Sequence, residues 1–196
     1  MSAPFVVGVA GGTASGKTTL TRRAAETLGA AVLTHDRYYH DAHDPRHHDF
    51  DHPASLDTAL LVEHLAALRA GVAVDAPVYD FATHSRTHVT ERVVPAPLLF
   101  VEGILVLAEP ALVAGFDLCV YVHCDDDVRL GRRIRRDTHE RGRTWDDVLR
   151  QWFATVRPAH KAFVEPSRRH AALELDGEGS IEAEVHRLVE RVRQGA

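Results

Sequence analysis

The chain of 196 residues predicts an α/β fold: a parallel sheet of about five strands flanked by helices, with a β-hairpin and an arginine-rich helical lid attached. Three observations lead there. A glycine-rich turn, Gly11-Gly12-Thr13-Ala14-Ser15-Gly16-Lys17-Thr18, sits between an apolar β-branched run (residues 5–10) and a helix-compatible run (17–28). Further apolar runs at 30–34, 98–103 and 118–122 alternate with helical patterns, as buried parallel strands do. Two of these runs end at or just before acids, Asp36 and Glu102, and the carboxyl ends of parallel strands line ligand crevices.

The turn reads G-x-x-x-x-G-K-T in a strand–loop–helix context, the pattern of a phosphate-loop NTPase-type fold. Glycines let successive N–H groups face one concavity, and the new helix adds its free N–H groups and positive dipole end. Gly11, Gly12, Thr13, Ala14, Ser15, Gly16, Lys17, Thr18 and Thr19 are therefore the expected nucleotide-binding residues. Lys17 is expected on the β- and γ-phosphates and the Thr18 hydroxyl on Mg²⁺.

Composition sets the limits. A hydrophobic share of 45% allows a full core, and the length suits one domain over 1–196. A formal net charge of −5 gives no reason to expect nucleic acid as a partner, so any anion site must be local. Cys119 and Cys124 are placed too far apart on one strand to bridge, which fits a reducing compartment. The start Met1-Ser2-Ala3-Pro4 lacks the basic opening of a signal peptide and no apolar run spans a bilayer, so a cytoplasmic protein with no membrane partner is expected.

Taken in order, the first strand is wholly apolar and leads through the loop into a helix at 17–28. The second strand, 30–34, brings Asp36 near the loop at the end of what the sequence suggests is its neighbour. Residues 35–53 form a polar loop crowded with histidine; with no repeated ligand pair and no cysteine, a solvated loop is expected rather than a zinc or nickel site. Ser55 is a candidate cap for a helix to Arg69, with Asp57 in its first turn and Leu61, Leu65 and Leu68 on its core face. The alternation within residues 72–94, around the bend Thr83-His84-Ser85-Arg86, predicts a hairpin outside the main sheet. Glu102 closes the strand 98–103, either as a second Mg²⁺-side carboxylate or as a cap.

Asp125-Asp126-Asp127 favours a helix start after the strand 118–122. Arg129, Arg133 and Arg136 then share one face, and like charges at that spacing oppose a helix by ~0.2–0.5 kcal/mol per pair. Acids such as Asp137 and Glu140 could make this a solvated salt-bridged face; the sharper expectation is a lid over about 126–145 whose arginines close on a triphosphate. Thr144 starts another helix, which Pro158 and Pro166 are expected to break up. Residues 172–175 read as an edge strand, and Ser180 caps a last helix with the stripe Ile181, Val185, Leu188 and Val192. With Asp36 as proton acceptor and Lys17, Mg²⁺ and lid arginines as charge, the set suits phosphoryl transfer to a small alcohol.

The motifs in order are GGTASGKTT, HDRYYHD, FDHPASLD, PVYDFATHSR, VEGIL, RRIRRDTHERGR, Gln151 and VRPAHKAFVEP. Together they resemble the uridine kinase (uridine-cytidine kinase) family of phosphate-loop kinases over nearly the whole length. The first motif is widely shared among nucleotide binders; FDHP, PVYDF-x-x-HSR and RD-x-x-ERGR are much narrower. The resemblance implies transfer of phosphate from ATP or GTP, with Mg²⁺, to the 5′-hydroxyl of uridine or cytidine. It implies Asp36 as general base, and Asp51 as the ribose-binding acid. Tyr79 and His84 match its base-reading pair, Arg133, Arg136, Arg141 and Arg143 its nucleoside and lid arginines, and Gln151 its glutamine. Phe50 and Phe81 are candidates for the pyrimidine slot or for plain packing. Thr18, Glu102 and Asp36 make up the expected metal side. His40 departs from the Lys or Arg usual after the tyrosine pair. Bacterial members are often tetrameric, which suggests a homo-oligomer. Another hydroxyl acceptor (pantothenate, nicotinamide riboside or a sugar phosphate), or a non-catalytic nucleotide-binding regulator, are the rival readings.

Overall fold

The computed structural model describes residues 3–42 and 48–196. Five strands, β1 (Phe5–Gly11), β2 (Ala31–Thr34), β5 (Leu98–Glu102), β6 (Leu118–His123) and β7 (Leu173–Asp176), form one sheet in the order β2-β5-β1-β6-β7. Every pairing in it is parallel. A parallel sheet needs both faces covered. On one face α1 (Lys17–Leu28) and α8 (Ile181–Gly195) pack Leu20, Ala24, Leu188 and Val192 against Val7, Val9 and Val120. On the other, α2 (Thr58–Arg69) packs Leu61, Leu65 and Leu68 in the cluster that holds Val6, Ala10 and Val101. The alternation of Val6 and Ala10 with Val7 and Val9 is the period-two signature of a strand buried on both sides. Each such buried aliphatic contributes about 1.5–3 kcal/mol by the area it removes from water.

The hairpin is a separate two-stranded sheet of β3 (Val74–Asp80) and β4 (Ser85–Val93), and β7 is the edge strand expected of it. After the short α3 (Pro110–Val113) and β6, α4 (Asp126–Glu140) carries the arginine run. Four sequence expectations need correction. The cap of α2 is Asp57, whose carboxylate accepts from Leu60 N at 3.2 Å, not Ser55. Pro53–Ser55 form a 3₁₀ turn and Leu56 is extended, so the helix cannot begin until Asp57; the Ser55 hydroxyl donates to the Asp49 carbonyl instead. Next, Pro158 and Pro166 do not break the helix that follows α5 (Trp145–Gln151). π-helical turns at Trp152–Val156 and His160–Val164 precede the prolines, which sit in α6 (Arg157–Ala159) and α7 (Glu165–Ser167). The wider turn leaves room for the ring and for the carbonyl that has lost its donor.

The third correction is topological: β2 is not the neighbour of β1, because β5 lies between them. The fourth concerns Arg129, which leaves the lid set. It is buried, donates from Nε to the Cys124 carbonyl at 3.1 Å, pairs with Asp126 and stacks 5.1 Å over Trp152. Cys119 and Cys124 are free thiols. Of the histidine-crowded loop, His43 to His47 lie outside the described residues.

Candidate active site

The carboxyl edge of the sheet opens into a cleft of about 1630 Å³. A single small ligand occupies about 300–1,000 Å³, so this cleft has space for two. Its floor is the glycine-rich loop. Gly16 turns the chain into α1 at φ 96, and the Ser15 N–H donates to the Gly12 carbonyl at 3.1 Å. Ala14 takes φ 60, a conformation that costs a non-glycine residue about 1–3 kcal/mol and clusters at functional loops. Ser15 Oγ is buried without a hydrogen-bond partner among the described residues. Thr13, Ala14, Gly16, Lys17, Thr18 and Thr19 line the cleft, whereas Gly11, Gly12 and Ser15 do not reach its wall.

Sheet register assembles the acidic side. Val9 of β1 and Thr34 of β2 both pair with Glu102 of β5. Asp36, two positions past Thr34, is the second residue of a 3₁₀ turn (His35–Tyr38) and lines the cleft with Lys17 and Thr18. The Thr18 hydroxyl sits 3.3 Å from each Glu102 oxygen. Burial raises the Glu102 pKa, with Lys17 opposing and Asp36 adding to the rise. A hydroxyl and two carboxylates lining one cleft are hard oxygen donors of the kind Mg²⁺ takes. Behind this turn His35 is buried, bonded through Nε2 to Thr58 Oγ1 at 3.1 Å, and burial lowers its pKa to about 4.

Across the cleft the hairpin and the loop before α2 form a second hollow. Asp51 is buried there, and burial raises its pKa to about 6 against the opposing pull of Arg133. Tyr79 packs on Tyr39 at 5.5 Å and on Phe81 at 5.2 Å, and its hydroxyl is buried without a partner among the described residues. His84 stacks 5.0 Å from Phe50. It holds φ 54 at the hairpin bend, where its carbonyl accepts from Ala42 N at 3.0 Å. Burial and the Arg143 and Arg141 charges lower its pKa. Phe81 is exposed, with the Arg141 guanidinium 5.5 Å over its ring.

The arginines complete the walls. Arg133 donates to Thr13 Oγ1 at 3.0 Å, tying α4 to the phosphate loop. Gln151 Oε1 accepts from Arg133 Nη2 at 2.8 Å and Arg143 Nη1 at 2.6 Å, so these three predicted residues are joined through Gln151. Arg136 and Arg141 line the same cleft.

A family model for the phosphoribulokinase / uridine kinase family matches residues 6–177. The chain belongs to that family. A uridine kinase of Chloroflexus aggregans is 46% identical over 96% of this chain and 94% of its own length. Another, of Deinococcus deserti, is 43% identical over 97% and 96%. Among solved structures, a D-glycerate 3-kinase of Cryptococcus neoformans superposes with a TM-score of 0.68 at 17% identity, covering 91% of this chain and 88% of that one, a likeness of fold.

Three parts of this site were not picked out from the sequence, two in the cleft wall and one buried behind it. Tyr39, whose ring touches both Phe50 and Tyr79, was legible only as half of a tyrosine pair. The turn Asp176–Ile181 forms the wall on the other side of the phosphate loop, and Arg132 donates to the Gly177 carbonyl there at 2.7 Å. Its signal was the glycine-rich DGEGS after the edge strand. Asp137 was visible as a charge partner but not as a buried one. Among the described residues, no group of three His, Cys, Asp or Glu side chains is placed to hold a metal, and no helix is long and apolar enough to cross a membrane.

Proposed function

We propose that this chain is a pyrimidine nucleoside kinase, moving the γ-phosphoryl group of ATP or GTP to the 5′-hydroxyl of uridine or cytidine. The observation that carries the reading is the register-set meeting of Asp36, Glu102 and Lys17 at one cleft, with a second, aromatic and acid-lined hollow beside it. The names of the relatives in Chloroflexus aggregans and Deinococcus deserti support the acceptor class.

In this reading the loop N–H groups and Lys17 hold the donor phosphates, and Asp51 accepts hydrogen bonds from the ribose hydroxyls. Tyr79, His84, Phe50 and Phe81 hold the base. Asp36 takes the proton of the 5′-hydroxyl as the new O–P bond forms and the bond to the leaving β-phosphate oxygen breaks. Arg136 and Arg141 spread over the charge of the transferring group; arginines in that role are worth about 10³–10⁵ in rate, against about 10²–10⁴ for the base. Thr18, Glu102 and Asp36 are the residues that would hold Mg²⁺. When bound, the ion neutralises charge on the β- and γ-phosphate oxygens. We read residues 1–196 as one domain, with 72–94 as acceptor wall and 126–145 as a lid, acting in the cytoplasm on small molecules alone and as a homo-oligomer.

A coupled assay of ADP formation with ATP and Mg²⁺ across nucleosides tests this. Uridine or cytidine should drive turnover; ADP formed only with pantothenate, nicotinamide riboside or a sugar phosphate would overturn the acceptor assignment.

A further inference from the structure

Four arginine heads of the cleft wall share one anion. Asp137, in the last turn of α4, is fully buried and does not itself line the cleft. Arg136 Nε donates to its Oδ1 at 2.8 Å. Arg133 Nε stands 3.4 Å from Oδ2, Arg141 Nη1 3.7 Å from Oδ1 and Arg143 Nη1 3.9 Å from Oδ2. The chain is bent to make this possible. Gly142 turns at φ 61 and the Arg143 N–H donates to the Asp137 carbonyl at 3.1 Å, folding the segment after α4 back over its own last turn.

The geometry is graded: one charge-assisted hydrogen bond and three contacts held by charge at longer range. Four guanidinium groups contact Asp137 alone among the described carboxylates, with Asp51 acting on Arg133 and Asp36 on Arg141 from across the cleft, and the cluster remains cationic and self-repelling. Without the carboxylate they would splay towards water, since each has exposure or a cleft to move into. A carboxylate tucked behind them draws them together from the side away from the cleft; Arg133 and Arg143 are braced further by Gln151, and Arg136 and Arg141 turn their remaining N–H groups to the cleft they line. It occupies no space in the cleft itself.

We infer that Asp137 is a positioning residue for phosphoryl transfer, holding Arg136, Arg141 and Arg143 as one array in register with the γ-phosphate, with Arg133 tying that array to the phosphate loop. This rests on the kinase reading above. It differs from simple charge balance, because an array must be held in place as well as neutralised. Misplacing reacting groups by about 1 Å can cost on the order of 10²-fold in rate.

The test compares two variants. Asp137→Asn is nearly isosteric and removes the charge; Asp137→Glu keeps the charge and moves it by one methylene. Folding of each is checked by thermal melting and gel filtration. Positioning predicts that kcat falls at least about tenfold in Asp137→Glu, with the KM for ATP within threefold of the parent protein. It predicts the same kcat loss in Asp137→Asn, with ATP bound as tightly or more tightly, since the cleft gains net positive charge. Should Asp137→Asn fail to fold, Asp137→Glu alone decides. A folded Asp137→Glu with kcat within twofold of the parent overturns the inference and leaves charge balance. A readout independent of the acceptor is the ratio of ADP–aluminium fluoride affinity to ATP affinity by calorimetry, expected to drop at least about tenfold in either variant because the planar mimic needs the array in place and ground-state ATP does not; an unchanged ratio overturns the inference. If the parent protein binds ATP yet phosphorylates no nucleoside, the acceptor reading fails, and the affinity ratio still tests Asp137.

Discussion

Asp36 and Asp51 are carboxylates of one cleft with different surroundings. Asp36 is half-buried and lines the cleft with Lys17 and Thr18, while Asp51 is buried in the aromatic hollow. Asp36→Asn should keep nucleotide binding and lower kcat at least about tenfold, read in the ADP-formation assay with ATP affinity measured separately. For Asp51 the raised pKa of about 6 cuts both ways. Ribose recognition needs the ionised form, so the nucleoside KM should climb as pH falls through about 6, with ATP affinity little changed. Stability runs in the opposite sense. A carboxylate raised from 3.8 to about 6 is costly to fold in its charged form, so it penalises the fold fully above pH 6 and not at all below 3.8. Asp51→Asn should therefore raise the melting temperature at pH 7, by the order of 1–3 kcal/mol in stability, and lose that gain at pH 3.5 while nucleoside binding is lost throughout.

At the scale of elements, the question is what fixes the hairpin, which shares no strand pairing with the main sheet. Arg86 answers much of it. Its Nε and Nη2 donate to the Tyr39 and Tyr38 carbonyls, each at 2.9 Å, and its fork meets the Asp57 cap of α2 at 3.2 Å. Its own N–H donates to Asp41 at 2.7 Å. One side chain thus locks the strand opposite Tyr79 to the turn that carries Asp36. A lysine cannot reproduce a planar fork. Arg86→Lys is expected to raise the nucleoside KM by about tenfold or more with ATP affinity within twofold, and to cost about 1–3 kcal/mol in stability. The kinetics and a denaturant melt together check this; equal loss of both substrates would show that the fork does more than hold the hairpin. The arginine helix makes a related point. Its run of cations is tolerated because Arg129 stacks inward on Trp152, Arg132 reaches the Gly177 carbonyl, and Arg133 and Arg136 converge on Asp137.

For the whole molecule, two buried histidines act against Asp51 in the response to acid. Burial lowers the pKa of both His35 and His160 to about 4, with Arg129 helping at His160 and Glu165 opposing. A histidine depressed in the fold from 6.5 stays neutral there while the unfolded chain takes up protons. Its contribution is whole above about 6.5 and drains away as pH falls towards 4. Two such histidines outweigh the opposite trend of Asp51 over the same range, so the melting temperature should drop between pH 6.5 and 4. A His160→Gln variant should show a shallower drop over that window, and an unchanged slope would remove His160 from the account.

The sequence by itself determined the phosphate loop, the strand runs, the strand-end acids and the family's motifs. All are local: a positive-φ turn, a buried apolar run or a capping residue is written in a few consecutive side chains. It determined as well that Asp36 and Glu102 would lie at one sheet edge, because parallel strands put their carboxyl ends on the same side. Only the tertiary structure decided that β5 intervenes between β1 and β2, since strand order is set by long-range pairing that no local pattern encodes. The same holds for two prolines absorbed by π turns, for Asp57 taking the cap from Ser55, and for Arg129 turning to the core while its neighbours turn to the cleft. Helical spacing put those arginines on one face. Which of them met a tryptophan, a glutamine or a buried aspartate depended on what the rest of the chain packed beside them.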